Sequence, residues 1–193
     1  MGTRLREPLK PTETGGATQA PTAVEFDGFY RAHFDFVWRS LRRLGVQQFA
    51  LDDAAQEVFV VVYRRFSDFR PGSSAKAWLF AIAQRVASDQ RRSARRKTNN
   101  LVPLSEHVSA SATPFEGAMQ REAQDLVLEF LGTIDEDRRT AFILSDLEQM
   151  TAPEIARIVH VNINTVYYRV ASARRAFADF VAKRHGKSAE EGV

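Results

Sequence analysis

From Val24 onward the apolar residues of this chain fall three and four positions apart, and no stretch of useful length alternates apolar with polar. That period belongs to α-helices with one face turned to a core, and it leaves little from which to build a sheet. Phe26, Phe29, Tyr30, Phe34, Val37, Leu41 and Leu44 form the first such stripe, which stops at Gly45. A second helix is expected from about Leu51 to Phe66, with Asp52 and Asp53 at its positive N-terminal end. Phe69-Arg70-Pro71-Gly72-Ser73-Ser74 breaks the pattern with turn residues and supplies a serine suited to cap the next helix. The third helix carries Trp78, Leu79, Ile82 and Val86 on its apolar side and ends in the basic run Arg91 to Lys97.

Lys97 to Ala112 has few apolar anchors and reads as a tether. Thr113-Pro114 suits the start of a fourth helix, which is expected to reach about Leu131 and be closed by Gly132. Asp135 can cap a fifth, burying Ala141, Phe142, Leu144 and Leu147 or their neighbours, and two more are expected near 152–159 and 163–181. The fold class is therefore all-α: two small helical domains, 24–97 and 113–184, joined by a flexible linker over 98–112. Residues 1–23, rich in Thr, Pro, Gly and Ala without an apolar period, read as a disordered tail, and 185–193 as a second tail.

Composition removes several classes of function. With no cysteine there can be no disulfide, thiolate metal site or cysteine nucleophile. His33, His107, His160 and His185 lie too far apart for a metal-ligand pair, so neither metal nor cofactor is expected. No paired catalytic set is fixed by motif spacing, and the chain is read as a non-enzyme. The longest strongly apolar run, Val58 to Tyr63, is far too short to span a bilayer, and the N-terminus lacks the apolar core of a secretory signal. A cytoplasmic protein without membrane insertion is expected.

The net charge of +3 hides a segregation along the chain. Residues 71–98 hold seven basic residues and one acidic, 99–137 one basic and eight acidic, and 153–193 seven basic and four acidic. Two basic regions divided by an acidic stretch suggest two anion-binding modules with a spacer that does not bind the same anion. A single basic run is most simply a solvated helix face; two, each with its own apolar pattern, point towards nucleic acid.

Thr151-Ala152-Pro153-Glu154 matches a capping box, in which threonine and glutamate satisfy each other's free backbone donors. A short apolar-sided helix, the connection His160-Val161-Asn162 and a longer helix follow. In the longer helix Val166, Val170, Ala173 and Phe177 make the core stripe, while Asn164, Tyr168, Ser172 and Arg175 point away, with Thr165 at the margin. Asn162 is a plausible cap, and Arg169, nearer the core edge, could reach a phosphate from the side. This is the build of a helix-turn-helix whose second helix reads a major groove. An ordinary helical hairpin shares the pattern; spacing, capping and the basic end favour DNA.

At these residues the chain resembles the bacterial RNA polymerase sigma factors of the sigma-70 family, extracytoplasmic-function (ECF) group, which contain little more than sigma regions two and four. The resemblance covers about Phe26 to Phe180. It rests in the first domain on Asp53-Ala54-Ala55-Gln56-Glu57-Val58-Phe59, Phe69 to Ser74 and Trp78-Leu79-Phe80-Ala81-Ile82-Ala83. In the second it rests on Leu144-Ser145-Asp146-Leu147-Glu148, Ile155-Ala156 and Asn164-Thr165-Val166.

The resemblance implies that Asp53, Gln56 and Glu57 dock on the clamp of the largest polymerase subunit. It implies that Phe69, Arg70, Ser73 and Ser74 help melt the −10 element and hold a flipped base, while Lys76, Arg85, Arg91 and Arg92 hold the phosphates of the single strand. Asn162, Asn164, Thr165, Tyr168, Arg169, Ser172 and Arg175 would read the −35 element. Core polymerase (the clamp, and the flap of the second largest subunit), promoter DNA and an anti-sigma factor are the implied partners. Phe69 is ambiguous between base platform and core, and Trp78 reads as core.

The chain also departs from the family pattern. Many relatives carry glycine where this one has His160, which is therefore expected at positive φ. Tyr167-Tyr168 stands where Lys-Ser is common, so an unusual −35 sequence is expected. The alternative is a dimeric helix-turn-helix regulator acting without polymerase, with Val58 to Tyr63 as its dimer interface.

Overall fold

The computed structural model describes residues 23–69, 74–98 and 116–190, and among them only helices and turns occur. Three helices make the first bundle: α1 (Ala23–Arg43), α2 (Leu51–Arg64) and α3 (Ala75–Thr98), each packed on the other two. Val37, Leu41 and Leu44 from the α1 side, Leu51, Val58 and Val62 from α2, and Leu79, Phe80 and Ala83 from α3 are fully buried between them. The apolar stripes read from the sequence are the faces that meet.

The chain leaves α1 through Gly45, whose φ is +88°. Gly45 N–H donates to the Arg42 carbonyl at 3.0 Å and Val46 N–H to that of Leu41 at 3.1 Å, closing the helix with the left-handed turn that glycine adopts at least cost. At the other side of the loop 69–74, Ser74 Oγ accepts from Ala77 N–H at 3.2 Å, the cap expected of it. The run Val58 to Tyr63 is mainly core: Val58, Phe59 and Val62 are buried, leaving Val60 and Tyr63 exposed. That placement removes most of the surface a dimer interface would need there.

The second bundle comprises α4 (Glu116–Thr133), α5 (Glu136–Phe142), α6 (Ala152–Val159) and α7 (Ile163–Glu190), with a π-helical turn over Ile143–Leu147. Phe130 is fully buried and meets the edges of Phe142 and Phe177 at 5.3 and 5.0 Å. Gly132 does not stop α4; the helix runs one residue further, and Thr133 Oγ1 donates back to the Phe130 carbonyl at 2.7 Å. The helix continues through a glycine that adopts no positive φ. Nor does the last helix end near 181. It continues to Glu190, across most of the expected 185–193 tail, in a segment carrying the helix formers Ala182, Lys183 and Arg184. The linker over 98–112 and the Thr113-Pro114 helix start lie outside the described residues, except Thr98, the last residue of α3.

Two caps set the entry to the helix-turn-helix. Asp135 Oδ1 accepts from Arg138 N–H at 2.9 Å, and the Glu154 carboxylate accepts from the Thr151 N–H and hydroxyl at 2.8 and 2.6 Å. Burial pushes the Asp135 carboxyl up, but hydrogen bonds from Arg138 and its charge outweigh this and leave it lowered. The Thr151 hydroxyl and backbone lower Glu154. For both groups the folded state holds the proton less well than the unfolded chain. Their contribution is therefore present at neutral pH and is lost as pH falls below about 4, through the folded-state values. Thermal melts across that range should show a shallower acid decline in Asp135→Asn/Glu154→Gln than in the unaltered chain; parallel declines would contradict the assignment.

The two bundles abut. α3 packs on α6 and α1 on α4, so one continuous set of buried apolar residues runs through both.

Candidate nucleic-acid interface

Asp53, Gln56 and Glu57 all stand exposed on α2, opposite the buried Leu51, Ala54, Ala55 and Val58. Spacings of three and four place them on one face. Glu57 accepts from Gln90 Nε2 at 3.3 Å, and the neighbouring Asp52 accepts from Trp38 Nε1 at 3.1 Å. Beside this face runs an open groove of about 690 Å³ floored by Phe26, Tyr30, Phe34 and Phe59 and rimmed by Asp52 and Gln56. The sequence reading missed the groove, because its aromatic residues come from a stripe that reads simply as core.

Phe69 is half-buried, its ring 5.3 Å from Trp78 and 5.8 Å from Phe29. Phe29 also meets Phe66 and stacks on His33, so the chain enters the loop from an aromatic cluster. Arg70 and Ser73 lie outside the described residues, and Ser74 is exposed while serving as a cap.

Along α3 the basic residues divide. Arg85 and Arg92 are exposed on one side, Arg92 paired with Asp89. Arg96, absent from the sequence reading, continues their row and donates to the Arg92 carbonyl at 3.3 Å. Lys76, nine residues before Arg85, stands on the opposite side at 100° per residue, with its ammonium 5.6 Å from the centre of the Phe36 ring. Arg91 faces away from the row: its side chain is 16% exposed and pairs with Glu136 at 2.8 Å across the junction between bundles.

On the second bundle, Asn162 Oδ1 accepts from Asn164 N–H at 2.8 Å and so caps α7. His160 has φ +53°, as its place in the turn requires, and Gln149 at φ +55° is a second left-handed residue that nothing in the sequence singled out. Asn164, Tyr168 and Arg175 are exposed, Tyr168 at 73%. Thr165 and Ser172 are half-buried, and Ser172 Oγ lies 3.4 Å from Arg138. Arg169 is 19% exposed and paired with Asp137, which fixes its guanidinium at the helix edge. Tyr167, exposed at 58%, extends the aromatic surface; periodicity placed it between core and outer face and gave no signal for it. Among the described residues no group of three or more His, Asp or Glu side chains could hold a metal ion, and no helix is long and apolar enough to cross a membrane.

Residues 29–97 match the family model of sigma-70 region 2, and residues 124–177 that of sigma-70 region 4. The RNA polymerase sigma-H factor of Pseudomonas aeruginosa is 31% identical over 137 residues, covering 64% of this chain and 69% of that protein. The ECF RNA polymerase sigma factor SigE of Mycolicibacterium smegmatis is 28% identical over 180 residues, covering 92% of this chain and 68% of the relative. Among solved structures, the sigma factor RpoE in complex with the anti-sigma factor NepR from Bartonella quintana superposes with a TM-score of 0.64 at 20% identity, over 81% of this chain and 96% of that one. The structure of CnrH in complex with the cytosolic domain of CnrY gives 0.62 at 22%, over 83% and 89%. At these identities the two structures bear on the fold alone.

Proposed function

Because this chain belongs to the sigma-70 family of RNA polymerase sigma factors, in the ECF group, and so directs polymerase to promoters, we propose a division of that task between its two bundles. The first docks on the polymerase clamp through Asp53, Gln56 and Glu57 and holds the melted −10 strand along Arg85, Arg92 and Arg96, with Phe69 and Ser74 at the base pocket. The second lays α7 in the −35 major groove, with Asn164, Tyr168 and Arg175 toward base edges and backbone and Arg169 held by Asp137 beside a phosphate. The observation that carries this reading is the capped helix-turn-helix with an exposed Asn-Tyr-Arg face, in the same chain as an exposed arginine row. Opening duplex DNA costs a few kcal/mol per unstacked base, of the same order as the stacking and pocket contacts that repay it.

The chain acts as an initiation factor rather than as a catalyst, in the cytoplasm, and is a target for an anti-sigma protein. Run-off transcription with core polymerase tests the whole reading; no specific transcript would end it. Asn164→Ala and Tyr168→Ala should each weaken binding to −35 duplex by about tenfold, since a good base-edge contact contributes about 1–3 kcal/mol. Equal affinity of both variants and the unaltered chain at moderate salt, in a mobility-shift titration, would contradict the docking of α7.

A further inference from the structure

The −10 and −35 labels set the two elements about 25 base pairs apart, or about 85 Å of duplex at 3.4 Å per pair. α6, the first helix of the helix-turn-helix, packs directly on α3, the helix of the arginine row. Two small bundles in contact cannot reach both elements, since a small domain is only about 30 Å across. We propose that this packed arrangement is a self-masked resting state, closed by arginines that cross between the bundles, which must open before the chain can hold a promoter. The inference rests on the division of labour proposed above.

The closing contacts converge on the end of α1. The Leu44 carbonyl accepts from Arg91 and, at 3.3 Å, from Arg139 of the second bundle. Arg139 also donates to the Leu131 and Ile134 carbonyls at 2.7 and 3.1 Å, so it ties the α4–α5 turn to α1. Gly45 permits this approach: a Cβ there would lie 3.2 Å from Arg139 Nη1 and 3.6 Å from Arg91 Cδ. Arg91 reaches on to Glu136, and Arg43 pairs with Glu148, whose side chain is only 7% exposed. Gln84 Nε2 donates to the buried Thr140 hydroxyl at 3.2 Å.

A carboxylate as buried as that of Glu148 is costly to leave unpaired, so the Arg43 pair discriminates sharply between closed and open forms. The functional consequence falls on Arg91. In the closed form its guanidinium serves the junction; opening returns it to the side of the bundle that holds single-stranded DNA.

The absence of native cysteine allows spin labels to be placed uniquely, at the exposed Gln48 and Asp179 of the full-length chain through Gln48→Cys and Asp179→Cys. Electron–electron distance measurements should give one narrow population. Arg43→Glu should broaden and lengthen it, and Arg43→Glu/Glu148→Arg should restore it; the restored pair also shows that the single variant remains folded. Anisotropy with a single-stranded −10 oligonucleotide should show Arg43→Glu binding about tenfold tighter, the change expected when a form populated at about one in ten becomes dominant, although the substitution makes the chain more negative. Adding Arg91→Ala should remove that gain. A broad distribution in the unaltered chain, or a narrow one unmoved by Arg43→Glu, would overturn the proposal, as would unchanged oligonucleotide affinity. Distances that respond as expected while no form binds the oligonucleotide would leave the closed state standing and refute the −10 assignment instead.

Discussion

Phe130→Ala is expected to lower the stability of the second bundle by about 3–5 kcal/mol, the usual cost of cutting a buried phenylalanine to a methyl group. The ring is fully buried, with Phe142, Phe177 and Phe180 centred 5.3, 5.0 and 5.8 Å away, so no neighbour is free to collapse into the space without giving up its own contacts. Against a total of about 5–15 kcal/mol for a domain, that is enough to leave the helix-turn-helix partly unfolded at growth temperature. Both tryptophans, Trp38 and Trp78, lie in the first bundle. Circular dichroism should therefore show an early helical melt while tryptophan fluorescence moves much less. Phe49→Ala, at a ring 81% exposed, should change stability by no more than about 0.5 kcal/mol. Equal effects of the two substitutions would mean that the four-ring cluster does not hold the bundle together.

The same cluster marks what can be read from a sequence and what cannot. Wherever an element depends on its own residues, the reading and the structure agree. Gly45 ends α1 because no other residue takes φ +88° as cheaply, His160 takes the left-handed turn, and Thr151 and Glu154 sit four residues apart in sequence where a capping box needs them. The buried run Ala141 to Leu144 is different. Four consecutive apolar residues carry no periodic signal, so the π-helical turn that follows α5 leaves no trace, and neither does the left-handed Gln149 after it.

Side-chain destinations are the least legible of all. Arg91 and Arg92 are neighbours in a basic run, yet one pairs with Glu136 across the junction and the other stays on the surface beside Asp89. The partner of Arg91 lies in another domain, and a period of 3.6 residues says which way a side chain sets out but not what it meets. Arg169, read as lying near the core edge, is held there by Asp137, a contact that spacing alone could not foresee.

The largest effect on function should come from reversing charge on the exposed face of α2. With Asp53→Lys/Glu57→Lys, affinity for core polymerase should fall by at least about 100-fold, because a docking surface loses two favourable charges and gains two repulsive ones, at several kcal/mol in total. The cost to the fold is much smaller. Asp53 lies in the first turn of α2, where exchanging a negative for a positive charge costs about 0.3–1 kcal/mol, and Glu57 gives up only the 3.3 Å hydrogen bond from Gln90. Both side chains are exposed, so neither leaves a cavity. Co-purification with core polymerase should fail while the melting temperature and the affinity of α7 for −35 duplex stay near those of the unaltered chain. Asp53→Asn/Glu57→Gln, which removes attraction without adding repulsion, should fall between the two and lose less of its binding when salt is raised. Undiminished co-purification of the reversed variant would move the docking surface off this face, and the apolar groove beside it, rimmed by Asp52 and Gln56, would be the next place to substitute.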